Sequence, residues 1–124
     1  MNSLPLSSAV ALGDVLFIGG TTPADPQGNI SPDWQVEEQT ERVLRNLERV
    51  LQHYDRHLMD MLFIQVYLSD LSYYQCFNQI YERIMSSPYP ARKVMLMQFS
   101  NPNLKVELTG FASCSDQKPV FMSL

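Results

Sequence analysis

The sequence predicts a two-layer α+β domain in which a mixed sheet of about five to six strands is covered on one face by two helices. Two long stretches repeat apolar residues at three- and four-residue spacings, as amphipathic helices do, while several short apolar runs end in Gly, Pro, Asn or Asp, as strands do. The second helical stretch has a strand-like run on each side, which makes a right-handed crossover and hence a parallel pair. At 124 residues the chain supports one hydrophobic core, and residues 1–124 are read as a single domain.

Ala9-Val10-Ala11-Leu12 and Val15-Leu16-Phe17-Ile18 flank the turn pair Gly13-Asp14, which predicts a β-hairpin whose second strand ends at Gly19-Gly20. A loop punctuated by Pro23, Asp25-Pro26 and Gly28-Asn29 follows, from Thr21 to Trp34; a loop this long is either a functional surface or a plain excursion. Asp33 is placed to N-cap a helix from about Gln35 to Tyr54, along which Val36, Val43, Leu44, Leu47, Val50 and Leu51 form one stripe. Glu37 and Glu38 suit the positive end of that helix. His53 and His57 are four residues apart, but no carboxylate or cysteine completes a ligand set, so a solvated helix end is preferred to a metal site.

Leu62 to Leu68 reads as the next strand, and Ser69-Asp70 as the cap of a second helix reaching Met85, with Tyr74, Phe77, Ile80, Tyr81 and Ile84 as core aromatics and aliphatics. Val94 to Met97 and Leu104 to about Ser113 complete the sheet around a turn at Ser100-Asn101-Pro102-Asn103, and Val120-Phe121-Met122 can add an edge strand. A tight hairpin at that turn would set Glu107 opposite Met95. Val15 to Ile18 and Val94 to Met97 have no polar face, and strands apolar on both sides need cover on both sides. With both helices on one face, the other is expected to meet a second copy of the chain.

The net charge is −4 and the pI about 5.0, so there is no electrostatic footprint for nucleic acid. Cys76 and Cys114 lack metal-binding or redox spacing, which fits a reducing compartment, and no stretch approaches a signal peptide or membrane span. A cytoplasmic protein without membrane or nucleic-acid partners is expected.

The chemistry-bearing stretch is Ser86-Ser87-Pro88-Tyr89-Pro90-Ala91-Arg92-Lys93-Val94. Two prolines forbid helix and exclude a central strand, so Arg92 is held at the mouth of a strand after a stiff loop. A guanidinium fork there suits a carboxylate ligand, and an ordinary surface ion pair is the competing reading.

Ser8-Ala9-Val10 ahead of Gly13, Leu16-Phe17-Ile18-x-Gly20, Pro23, Glu38-Gln39-Thr40, Leu44-x-Asn46-Leu47, Val66-Tyr67-Leu68, Asn78-x-x-Tyr81, Pro90-Ala91-Arg92 and Val106-Glu107 together resemble the RidA (YjgF-like) reactive intermediate deaminases over nearly the whole chain. The resemblance implies a chorismate-mutase-like fold, a homotrimer with ligand pockets between subunits, and hydrolysis of enamines and imines of 2-keto acids to the keto acid and ammonia, without metal or organic cofactor. On the same resemblance Arg92 binds the substrate carboxylate, backbone groups around Arg92 and Val94 hold the nitrogen end, and Glu107 directs water. The meeting of Arg92 and Glu107 in one pocket is implied by the resemblance alone. Leu6 stands where the family commonly has a tyrosine, Gly19 where it has a serine, and Lys93 where it has a small hydroxyl residue. By alternation Lys93 points to the sheet face opposite Arg92. A less polar pocket at Leu6 and Gly19 favours a bulkier apolar imine, or a catalytically silent trimer that binds small carboxylates as a sensor.

Overall fold

In the computed structural model, which describes residues 4–124, Gly13 takes a φ of 61°, a conformation that side chains resist. It closes the hairpin between β1 (Ala9–Leu12) and β2 (Val15–Thr21), with Leu12 paired to Val15. β2 does not stop at Gly19-Gly20 as the two glycines suggest. It bulges there, between the pairs Ile18↔Gly110 and Thr21↔Leu108, and runs on.

The helix α1 spans Val36–His53 and buries Val36, Val43, Leu44, Leu47 and Leu51 on one face. Its N-cap is Gln35 rather than Asp33, and no side chain caps it. The start of the helix is fixed instead by buried Gln39, whose Nε2 donates to Asn103 O at 2.7 Å and whose Oε1 accepts from Lys105 N–H at 2.9 Å. That clamp ties α1 to the turn before the last strand.

β3 (Met61–Leu68) alternates as its sequence does, with Ile64, Val66 and Leu68 fully buried. The Asp70 side chain accepts from Ser72 N–H at 2.8 Å and caps a single turn, Leu71–Tyr73, that leads into α2 (Tyr74–Met85). β4 (Ala91–Leu96) then lies parallel to β3, the crossover expected from the pattern, and begins directly after Pro90 rather than at Val94. β5 (Val106–Ser113) inserts between β2 and β3, antiparallel to both, giving the order β1-β2-β5-β3-β4.

The expected hairpin between the last two strands is therefore absent. The chain leaving β4 crosses the end of β3, stitched by Met97 N–H to Leu68 O at 2.9 Å and Ser69 N–H to Lys105 O at 3.0 Å. Glu107 and Met95 still share a row, but Tyr67 stands between them. Val120-Phe121-Met122 form no strand. They lie beside the loop preceding β4, where Pro88 and Pro90 offer no N–H to a ladder.

Both helices cover one face of the sheet. Leu16, Ile18, Ile64, Val66, Val106 and Leu108 meet Leu44, Leu47, Leu51, Phe77 and Tyr81 there. The other face carries a row of aromatics: Phe111 lies edge-on to Phe17 at 5.4 Å and stacks on Phe63 at 6.1 Å. Phe17 and Phe111 are 43% and 40% exposed, a large apolar area for a face without helices. Among the described residues no helix is long and apolar enough to cross a membrane.

Candidate functional site

Arg92 is the second residue of β4, at the sheet edge and on the helix-covered face. The stiff loop before it delivers its side chain onto α2, where the guanidinium lies 4.9 Å from the Tyr81 ring centroid and 5.7 Å from that of Phe77. No ion pair among the described residues involves it. It lines a cavity of about 400 Å³ with Asn78, Tyr81, Glu82, Tyr89 and Pro90. Val94, two residues on, packs its side chain against the core. Because β4 is an edge strand, part of its backbone around Arg92 and Val94 remains free to bond a ligand.

Two polar groups in this cavity have no hydrogen-bond partner among the described residues: Asn78 Oδ1 and Tyr81 Oη, both buried. An unpaired buried polar atom is costly unless something pairs with it. Burial pushes the Tyr81 phenol up to about 12 against the opposing pull of the Arg92 cation, so it stays protonated and can donate. The cavity thus presents the Arg92 cation, with the Glu82 carboxylate also in its lining, above a floor in which Asn78 Oδ1 and Tyr81 Oη are covered and unpaired, and the guanidinium suits a small carboxylate. Tyr81 is read from sequence as core, and ring and hydroxyl are both buried; what the pattern does not show is that the hydroxyl lacks a partner among the described residues. The signal was the polar Asn78 three residues before it, inside an otherwise apolar stripe.

Glu107 lies on the opposite face. Its neighbours Val106 and Leu108 point into the core, so Glu107 points away from the helices, half-buried. Burial raises its pKa above the ordinary glutamate value. The β2 bulge comes close to it: a Cβ on Gly20 would stand 3.2 Å from Glu107 Oε2. Glycine at 20 therefore leaves the carboxylate room against the backbone.

Gly19 lines a separate cavity of about 420 Å³ on this open face, with Ser7, Gln65, Thr109 and the aromatic row. A Cβ at Gly19 would meet Ser8 O at 3.4 Å, an ordinary contact, so the fold does not demand glycine there. Leu6 precedes β1 and is 68% exposed. Lys93, exposed and paired in register with Gln65, also faces away from the helices. Its charge therefore belongs to the Glu107 side of the sheet, not the Arg92 side.

Within one chain, then, Arg92 and Glu107 are kept apart. Arg92 is in register with Ile64 and through it with Gly110, three residues from Glu107, or about 10 Å along β5, with the sheet itself between them. Arg92, Val94, Asn78 and Tyr81 form one group; Glu107, Gly20 and Gly19 form another.

The model of the family described as Endoribonuclease L-PSP matches residues 2–114. A RutC family protein of Saccharolobus solfataricus is 34% identical over 111 residues, covering 90% of this chain and 88% of the relative. A chloroplastic protein of Arabidopsis thaliana named Reactive Intermediate Deaminase A is 27% identical over 109 residues, covering 88% of this chain and 58% of the relative. A solved structure from Thermotoga maritima superposes with a TM-score of 0.81 at 32% identity, over 88% of this chain and 86% of that one.

Proposed function

The chain belongs to the Endoribonuclease L-PSP family of RidA/YjgF-like proteins, with their chorismate-mutase-like α+β fold, and from that membership we propose that it hydrolyses imines and enamines of 2-keto acids in a site built between subunits of a homotrimer. The observation that carries this is the unpaired Arg92 in a cavity with the partnerless Asn78 Oδ1 and Tyr81 Oη. Arg92 takes the carboxylate. Asn78 and the free backbone of β4 hold the nitrogen end.

Opposite placement of Arg92 and Glu107 on the sheet favours an assembled site. A second copy laying its β4 edge on the open, aromatic face brings its Arg92 toward Glu107 and covers Phe17, Phe63 and Phe111 in the same step. Water oxygen then bonds to the imine carbon, the C=N π pair moves to nitrogen, and Glu107 passes the water proton toward that nitrogen. Glu107 then moves the carbinolamine hydroxyl proton to the amine nitrogen, and collapse forms C=O, breaks C–N and releases ammonia. An enamine first takes a proton at its β-carbon to become the imine. Because an imine beside a carboxylate is already electrophilic, orientation and one proton carrier suffice, and no metal or cofactor is invoked.

Nucleic acid fits this chain poorly despite the family's descriptive name: the net charge is −4, and the two histidines lie at the end of α1 and in the turn after it. A cytoplasmic location accompanies the proposed role, and the unpaired Cys76 and Cys114 suit a reducing compartment.

The test is release of keto acid and ammonia from imines made in the cuvette by an amino-acid oxidase. Glu107→Gln is expected to lower turnover while sparing or tightening keto-acid binding, because a nearby negative charge weakens capture of an anion. In the wild type kcat/KM should rise with pH to a midpoint above 4.5, the ordinary glutamate value from which burial raises Glu107, and Glu107→Gln should flatten that limb. The stability sign follows from the same shift. The folded chain holds this proton more tightly than the unfolded chain, so stability is lost as pH rises from the ordinary to the raised value. Glu107→Gln should therefore melt above the wild type at neutral pH. Unchanged turnover in Glu107→Gln would remove Glu107 from the mechanism.

A further inference from the structure

Tyr89 and Pro90 line two cavities at once. One is the Arg92 cavity; the other, about 370 Å³, lies between the Ser87–Ala91 loop, Leu62 and the C-terminal segment carrying Pro119, Phe121 and Met122. That segment lies beyond residue 114, where the family match ends. We infer that this second cavity receives the side chain of the substrate whose carboxylate Arg92 holds, so that Tyr89 and Phe121 select imines of 2-keto acids with branched or aromatic apolar side chains. The subsite rests on the hydrolase reading above and gives it a substrate class.

No charged residue lines the second cavity; apart from Ser87, Ser123 and the Tyr89 hydroxyl, its side chains are apolar. A charged side chain would lose its hydration there without a partner, whereas an apolar one exchanges water for carbon. The geometry suits a 2-imino acid, because its side chain leaves the carbon next to the carboxylate. A branched or aromatic group extends roughly 5 Å from that carbon, the reach needed to go round the Tyr89 and Pro90 edge that the two cavities share. Tyr89 supplies one wall there: its ring lies 6.2 Å from Tyr81, on which Arg92 is stacked. The opposite wall is Phe121, 44% exposed and therefore able to bury more surface against a ligand.

The experiment compares imines derived from leucine and phenylalanine with that derived from alanine, using the wild type, Phe121→Ala and Phe121→Asp. Phe121 lies outside every helix and strand, so both variants are expected to assemble normally. The expected result is a fall of roughly tenfold or more in kcat/KM for the bulky imines, larger for Phe121→Asp, with the alanine-derived imine unaffected. The same ratio is read from binding of 4-methyl-2-oxopentanoate against pyruvate. A ratio unchanged in both variants, or equal losses for small and bulky substrates, overturns the subsite and leaves the hydrolase standing. Preferential keto-acid binding that is lost in the variants, in a wild type that turns over no imine, overturns the hydrolase and keeps the subsite.

Discussion

Arg92→Ala is expected to cut kcat/KM for imine hydrolysis about a hundredfold or more, and to abolish keto-acid binding, because among the described residues Arg92 is the only cation lining the cavity beside Tyr81. The fold should survive. Arg92 is paired with no carboxylate among the described residues, so its removal orphans no buried charge. What disappears is stacking on Tyr81 and Phe77, worth about 0.5–1 kcal/mol at a partly exposed position. Arg92→Lys separates charge from shape: an ammonium keeps the attraction but not the planar fork, so it should restore only part of the loss. Wild-type turnover and binding in a folded Arg92→Ala chain would disprove the assignment of this arginine.

Gly110→Ala should have the largest effect on stability. A Cβ there would stand 2.0 Å from Phe63 O and 3.1 Å from Met61 Cε. The first obstacle is backbone in the neighbouring strand, at the irregularity between Met61 and Phe63 where the β3–β5 register shifts. A carbonyl in a ladder cannot swing aside as a side chain does, so the strands must separate. That costs on the order of 4 kcal/mol or more, a large part of the stability of a domain this size. Thermal unfolding monitored by circular dichroism would show it, and a melting temperature within a few degrees of wild type would mean that the sheet relaxes more freely here than its packing implies. By contrast Gly20→Ala presses only on the flexible end of Glu107 and should leave stability nearly unchanged.

Helices and strands were legible because each has a strong period. α1 follows its apolar spacing to within a residue, α2 ends at Met85 as expected but begins at Tyr74, one separate turn after the Asp70 cap, and the β3–α2–β4 crossover is parallel as right-handed connections require. Sheet order was not legible beyond that, because a turn at residues 100–103 reads the same whether the next strand pairs with β4 or passes over β3. Only long-range contacts decide it, among them the Gln39 clamp on Asn103 and Lys105. Asp33 failed as a cap for a related reason: with Gln39 holding the start of the helix, no side-chain cap was needed.

The candidate site divided in the same way. Arg92 was visible through the two prolines before it, and the turn of Lys93 to the other face followed from alternation. The Tyr81 hydroxyl was hidden inside a core-like stripe. Gly20 looked like the end of a strand, whereas it is the bulge that makes space for Glu107. That Arg92 and Glu107 face opposite sides could be deduced only once β5 was known to lie beyond β3.

In the proposed site one subunit's Arg92 works with another's Glu107, and mixed assemblies separate this from a site within one chain. Arg92→Ala and Glu107→Gln chains, each inactive alone, are co-expressed with different tags and the hybrids isolated. If the site spans subunits, every hybrid trimer contains one interface in three with both native residues, and the isolated hybrids regain about a third of the wild-type rate. Hybrids as inactive as either parent, with subunit exchange confirmed by both tags, would contradict a shared site.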